Sequence, residues 1–378
     1  MGAHPGACRE QFLRHRLLYP SCADPNIFGE GRAEGTDRPM NADRSRRQRF
    51  LISMLSLTLV VGVAACDVFK QEIPPNEMFT TAERQRENEE FLEAAQTYDA
   101  LIAAHEESEL VPAALFYSGI CKFTLSLRAP GPKAFEQRKG GLSDAKQEMY
   151  THWLDYLEKY DDNFSYIETL DTYLYQGNEF KILIEQHPAS NYVDDAAYQL
   201  VHTHFLAKQR TKTLTLATAL QLYHEFFAAY PQSPYVPKGI EHLMQFVADY
   251  DETILDAEAT LQAYQEVSQT AERAAGLGRL AYLLAKIFLQ VGDTTRAATL
   301  LDVPSVIGIG IVDTKSTRLN IRSGQGTEFR IVAKADKGEE VLLLSQAGQW
   351  YNVRLQDGTI GYAHSEYIRK LQPTGLYE

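Results

Sequence analysis

The stretch "LYHEFFAAYPQSPYVPKGIEHLMQ", residues 222–245, begins as one amphipathic helix and ends as another. Leu216, Ala219, Leu220, Tyr223, Phe226, Phe227 and Tyr230 recur at three- and four-residue steps. That spacing puts them on one stripe of a helix, facing a neighbour. Pro231 then stops the helix. The arrangement recurs upstream, as "TYDALIAAHEES" from Thr97 and "EFKILIEQHPAS" from Glu179. In each copy an aromatic (Tyr98, Phe180, Tyr223) is followed seven residues later by His105, His187 or Tyr230, and three further on by Ser108, Ser190 or Ser233. Another apolar helical run follows each serine. The aromatics are 82 and 43 residues apart, so the first gap has room for two units of roughly forty. A recurrence of this size predicts stacked helical hairpins, none of which buries its apolar face alone.

The unit "LAYLLAKIFLQVGDTTRAATLLDVP", residues 280–304, carries the pattern furthest. Ala281 and Ala285 alternate with Leu284 and Phe288. Gly292 makes the turn, Ala297 lets the second helix approach, and Leu301 closes the contact. These residues resemble tetratricopeptide repeats, although Glu106 and Gln176 depart from that pattern and the spacing exceeds the family's ~34 residues. The "YPQSPY" turn is similar to the extended repeats of envelope lipoproteins, including the lipoprotein of the outer-membrane β-barrel assembly machinery. The resemblance implies a protein-binding concave face lined by the first helix of each pair. Tyr117, Tyr198 and His202 lie on such helices, either at that face or as packing residues. "RAPGPKAFEQRKGGL", residues 128–142, interrupts the repeats and reads as a long loop. "MYTHWLDYLEKYDDNFSYIETLDTYLYQG", residues 149–177, reads as helical and rich in tyrosine.

The N-terminal region has a different organisation. In "MNADRSRRQRFLISMLSLTLVVGVAAC", residues 40–66, Arg44, Arg46, Arg47 and Arg49 precede an uncharged run from Phe50 to Val63. Ala64 and Ala65 then precede Cys66. A basic head, a short apolar middle and small residues at a cleavage site make a secretory signal. "VAAC" resembles the lipobox of bacterial lipoproteins, which implies that Cys66 carries the lipid that holds the protein to a membrane. Several acyl chains at ~0.8 kcal/mol per buried methylene anchor firmly. Residues 1–39 show no sustained apolar period, and translation is expected to start at Met40. Residues 66–77, with Pro74 and Pro75, read as a tether.

The chain carries 37 Lys and Arg against 50 Asp and Glu, a net charge of −13. Removing residues 1–65 takes away nine arginines and six acidic residues, leaving the remainder more acidic still. Such a surface repels nucleic acid, so no nucleic-acid partner is expected. Of the four cysteines, Cys8 and Cys22 lie upstream of Met40, Cys66 is the lipidation site, and Cys121 is left alone among apolar residues. A disulfide framework within the mature chain is excluded, and Cys121 reads as a small buried thiol.

After Pro304 the composition shifts to β-branched residues and glycines. Short alternating runs, such as "EVLLLS" from Glu340 and "WYNVRL" from Trp350, are separated by the turn pairs Lys337-Gly338 and Asp357-Gly358. About five short strands fit a small barrel. "LNIRSGQGTEFRIV" (residues 319–332), "KGEEVLLL" and "QWYNVRLQDGTIGYAHSEYI" resemble a bacterial SH3-like (SH3b) domain. That resemblance implies a domain that binds cell-wall peptides. Gly324 and Gly326 allow a tight turn that Asn320 and Arg322 brace, while Trp350, Tyr351, Tyr362 and His364 line a surface groove. The alternative is that Trp350 and Tyr362 pack the barrel.

The expected architecture is therefore mainly α, a helical-hairpin solenoid followed by a small all-β barrel. Its segments are 1–39 upstream, 40–65 signal, 66–77 tether, 78–303 repeats, 304–313 linker and 314–372 SH3-like domain. No cofactor and no metal site is expected. His202 and His204 are two residues apart and point in different directions on a helix. No phosphate-cradling glycine loop or nucleophile elbow is present, so binding is expected rather than catalysis. The expected function is a lipid-anchored scaffold facing the periplasm, holding envelope proteins on the repeats and touching peptidoglycan through the barrel. The alternatives are a component of outer-membrane protein assembly, or a targeting subunit of a cell-wall hydrolase system.

Overall fold

Among the described residues helix begins at Pro75, where a proline fits because the first helical N–H has no acceptor in any case. A computed structural model describes residues 73–160, 162–250 and 255–372. The upstream segment 1–39, the signal 40–65 and Cys66 lie outside the described residues, as does the tether up to residue 72. The tether read as 66–77 thus gives way to helix at Pro75, three residues early. The helices are α1 (Pro75–Glu87), α2 (Phe91–Ala104), α3 (Val111–Arg128), α4 (Pro132–Arg138), α5 (Asp144–Lys159) and α6 (Asn178–Gln186). They continue with α7 (Val193–Arg210), α8 (Leu216–Ala229), α9 (Val236–Ala248), α10 (Ala257–Thr270), α11 (Leu277–Gln290) and α12 (Thr294–Leu301). No helix among the described residues is long and apolar enough to cross a membrane.

The recurring sequence makes one recurring turn. The N–H groups of Ser108, Ser190 and Ser233 donate to the carbonyls of His105, His187 and Tyr230, at 2.9, 2.9 and 3.0 Å. Each serine hydroxyl accepts from the N–H two residues on, at Leu110, Tyr192 and Tyr235. These bonds satisfy backbone groups that both helix ends leave open. Tyr98, Phe180 and Tyr223 are each fully buried beneath their turn. A fourth hairpin uses the same frame with other side chains. Tyr264 lies seven residues before Ala271, and Ala274 N–H donates to Ala271 O at 2.8 Å. With alanine in place of the serine, the sequence pattern fades while the backbone geometry stays.

Successive hairpins stack, α8 on α10 and α9 on α11, and α12 closes the row against α11. Where helices meet most closely the residue six after the turn serine is small: Ala114, Ala196 and Gly239. A Cβ on Gly239 would lie 2.8 Å from ring carbons of Tyr223 and Phe227. The mainly α architecture, with a small β domain at the end, is the one the periodicity predicts.

The first gap does not hold two units of roughly forty. Residues 129–177 form an insertion: α4, a 3-10 turn at Lys139–Gly141, α5, and a hairpin of β1 (Phe164–Ile167) and β2 (Thr172–Tyr175). The segment read as a loop therefore contains a helix, and the segment read as helical ends in two strands. Phe164, Tyr166, Ile167, Thr172, Tyr173 and Tyr175 are strand formers, and half-burial on a pleated surface selects strand for them. The hairpin turn supplies the cap for α4. Asp171 accepts from the N–H groups of Lys133 and Ala134 at 3.0 and 2.8 Å. A Cβ on Gly131 would lie 1.8 Å from Asp171 O, so only glycine admits this approach.

A buried polar cluster fastens the insertion to the solenoid. Lys122, 3 % exposed, reaches Asp99 on α2 at 2.9 Å and Glu179 on α6. Ser118 donates to Asp99 at 2.7 Å, and Asn163 and the Tyr175 hydroxyl donate to Glu179. Burial alone would lower the Lys122 ammonium. The Glu179 and Asp99 carboxylates outweigh it and hold the group above its ordinary value.

Candidate ligand face of the C-terminal barrel

The segment read as a linker, 304–313, contains the first strand of the sheet, β3 (Gly308–Val312). It is followed by β4 (Leu319–Arg322), β5 (Ile331–Ala335), β6 (Glu340–Ala347), β7 (Trp350–Arg354), β8 (Ile360–His364) and β9 (Ile368–Lys370). The antiparallel order is β5-β4-β8-β7-β6-β3-β9. Seven strands, rather than about five, follow because β3 and β9 pair with each other at the chain ends of the barrel.

Alternation along each strand sorts the side chains. Leu319, Ile321, Ala335, Val341, Leu343, Val353 and Ala363 fill the barrel interior. The outward residues meet two different environments. Ile309, Leu342 and Leu344 leave the barrel and join the helical core. Beside them, Tyr282 on α11 donates to Glu340 O at 2.9 Å, and Lys286 pairs with the Glu340 carboxylate. Arg354 donates to Leu301 O, at the end of α12, at 3.1 Å. Half of the barrel's outer surface is therefore sealed against the last helical hairpin.

The other half stays open, and the strand register places most of the sequence-predicted residues on it. Arg322 pairs with Ile331 on one side and Tyr362 on the other, and Tyr362 pairs with Asn352. The next row pairs Trp350 with His364, their rings 5.3 Å apart and edge-to-face at 86°. Tyr367 lies 5.8 Å from the His364 ring and is 42 % exposed. Trp350 and Tyr362 thus face outward rather than packing the interior. Tyr351 does not belong with them, because its odd register turns it inward, against the barrel core. Tyr367 takes its place at the open face. Sequence reading missed it because a 3-10 turn, Ser365–Tyr367, carries it back toward β8.

Arg322 braces the turn between β4 and β5, donating from Nη1 to the carbonyls of Thr327 and Phe329, both at 2.8 Å. Gly324 is required for close approach rather than for a left-handed backbone, since a Cβ there would lie 2.6 Å from the Phe329 ring. Asn320 pairs with Lys334 across the ladder, and its side chain makes no hydrogen bond to the turn among the described residues.

Residues 317–369 match the bacterial SH3 domain family. No curated protein matches the chain. The match starts after β3, so the SH3 domain of this chain is completed by a strand that lies upstream of the matched residues and touches the helices.

The residues predicted for the repeat surface fall between helices. Tyr117 is buried, stacked on Tyr98 and in contact with Tyr192, with the Arg86 guanidinium 4.6 Å from its ring centroid. Tyr198 is half-buried and stacks on Tyr235 at 4.7 Å. His202 packs against Phe123 and, at 5.0 Å, against His242. Cys121 is buried too, and that burial pushes its thiol up to about 12.

Burial pushes His202 down to about 3, with His242 adding to the shift, and pushes His242 down to about 4. Both folded values lie below the ordinary 6.5, so the stabilisation is present above pH 6.5 and is lost as the pH falls toward the folded values. Each pH unit in that window costs ~1.4 kcal/mol per histidine, or about 2 kcal/mol each by pH 5. Burial lowers His204 as well; urea unfolding at pH 7 and pH 5 is expected to show this loss, and His202→Phe is expected to remove about 2 kcal/mol of it. An unchanged slope in that variant would place the acid sensitivity elsewhere.

Proposed function

We propose that this protein is a lipid-anchored scaffold of the bacterial cell envelope, whose SH3 domain contacts peptidoglycan and whose helical repeats, of tetratricopeptide type, hold a protein partner. The observation that carries the reading is the open half of the SH3 sheet. Trp350, Tyr362, His364 and Tyr367 form an outward aromatic surface there, beside Arg322 and Asn352. Aromatic rings offer flat contact area at low entropy cost, which suits a short peptide with carboxylates and amides. The arginine-headed apolar run and "VAAC" at residues 63–66 support lipidation at Cys66 and a periplasmic location. The role is binding rather than catalysis. Ionisable groups that burial shifts strongly, Tyr98, Tyr175 and His202, sit inside helix packing or in the buried cluster.

The test uses the full chain in detergent, mixed with purified peptidoglycan and sedimented. Retention is expected for the native protein, with at least about a tenfold loss of affinity for Trp350→Ala combined with Tyr362→Ala, at the level of aromatic hot spots. Sedimentation equal to that of an unrelated acidic protein would end the peptidoglycan reading. Mass spectrometry of the membrane-extracted protein tests the anchor, with acyl chains expected on Cys66.

A further inference from the structure

Asn320 does not brace the turn after β4, and its place on that strand calls for another role. The strand is internal, between β5 and β8, where asparagine packs poorly and is depleted. The half-buried amide makes no side-chain hydrogen bond to a described residue. Alternation puts Asn320 on the same outward side as Arg322, two residues on. Across the ladder, Lys334 on β5 stands opposite Asn320, and Ile331 stands opposite Arg322. Cross-strand neighbours are ~5 Å apart and same-face neighbours along a strand ~7 Å. An amide, a guanidinium and an ammonium therefore share one corner of the open face, and all three carry donors. Arg322 is held through Nη1 on the carbonyls of Thr327 and Phe329, which leaves Nε and Nη2 for a ligand.

The carboxylates nearest this corner are turned to other work. Asp336 pairs with Arg318 at 2.8 Å, the Glu339 carboxylate accepts from Asp336 N–H at 2.8 Å, and Glu328 lies against Gly326 inside its own turn. On the aromatic side, Glu366 stands 3.8 Å from His364 Nδ1. The barrel is also the basic part of an acidic chain. Residues 304–372 carry nine Lys and Arg against seven Asp and Glu, within a net charge of −13.

We infer that Asn320, Arg322 and Lys334 seat a carboxylate of the ligand, so that the SH3 face takes the peptide stems of peptidoglycan rather than its glycan strands. This rests on the peptidoglycan reading and names the group recognised. A carboxylate accepts charge-assisted bonds from a guanidinium and an ammonium together. A cation would be repelled there, and a neutral sugar would leave both charges unanswered. Ile331 and Phe329, 44 % and 42 % exposed, stand beside the corner and offer apolar contact to the aliphatic side chains of such a peptide.

The test sediments the full chain in detergent with purified peptidoglycan, either unmodified or with its carboxyl groups converted to methylamides. Retention on the unmodified material is expected, with at least about a tenfold weaker affinity for the methylamide, as loss of charge-assisted bonds requires. Asn320→Val combined with Lys334→Gln is expected to weaken binding to unmodified peptidoglycan by a similar factor. In that variant methylamidation is expected to have little further effect, because the two changes remove the same contact. Valine suits a strand better than asparagine, so the urea midpoint is expected to stay level or rise, which separates lost binding from lost fold. Lys370→Gln, the same change of charge on β9 at the other end of the sheet order, is expected to bind as the native chain does. Equal retention of the native chain on both materials, or native-like binding by the double variant, overturns the inference and leaves the peptidoglycan reading standing. No retention on either material overturns both.

Discussion

Lys122→Met is expected to lower the unfolding free energy by about 3–5 kcal/mol. The substitution keeps the length of the side chain and removes its charge. Asp99 and Glu179 are then left without their shared cation, with Ser118, Tyr156, Asn163 and Tyr175 as their remaining donors. Glu179 is buried and Asp99 half-buried, and two such carboxylates close together repel, so one must take up a proton or the insertion must come away from α3 and α6. Hydrogen exchange distinguishes the two responses, since only the second exposes the amides of β1, β2 and α6. The native bond also has a pH limit. The folded value of Lys122 is raised, so its contribution is full below lysine's ordinary 10.5 and fades as the pH rises past it. Urea unfolding of the variant at pH 7 checks the magnitude; a change below about 1 kcal/mol, the level of an exposed ion pair, would show that the cluster is hydrated.

Leu342→Ala tests a different junction and is expected to cost about 2–5 kcal/mol, the range for a leucine truncated in a packed core. Leu342 is fully buried, yet it sits on β6 with its side chain in the helical core beside residues of α11 and α12. The void therefore opens between the two parts of the chain rather than inside either. Far-ultraviolet circular dichroism reports the helices, and in a Trp153→Phe background the fluorescence of Trp350 reports the barrel. Both signals are expected to move to lower denaturant together, because the shared core makes one cooperative unit. A shift of the barrel signal alone would mean that the SH3 domain unfolds independently. The same junction explains why only half of the outer sheet is open to a ligand: Arg354 and Leu342 point the same way as Trp350 but end against Leu301 and the helices.

Much of this was legible in the residues themselves. The spacing of Tyr98, Phe180 and Tyr223 and of the serines behind them is a local code, and each copy makes its turn from bonds within a few residues. The strands of the SH3 domain show the same legibility, since alternation and turn glycines act over short distances. The fourth hairpin escaped because Ala271 and Ala274 keep the backbone bonds without the side chains that mark them. The β1–β2 hairpin escaped because tyrosine-rich sequence suits either period, and contact with α3 and α5 made the choice. Tyr351 was misplaced by one step of a strand, which is enough to turn a side chain from the surface to the core.

The sequence by itself determined the hairpins, their turns, the small barrel and the acidic surface, because each rests on periodicity, turn chemistry or composition. Only the tertiary structure decided that β3 belongs to the sheet, that the barrel shares its outer leucines with the helices, and that α5 faces α2 across a groove. Those outcomes depend on which apolar faces meet over long separations along the chain. Such meetings are settled by shape and burial between elements, and no local pattern records them.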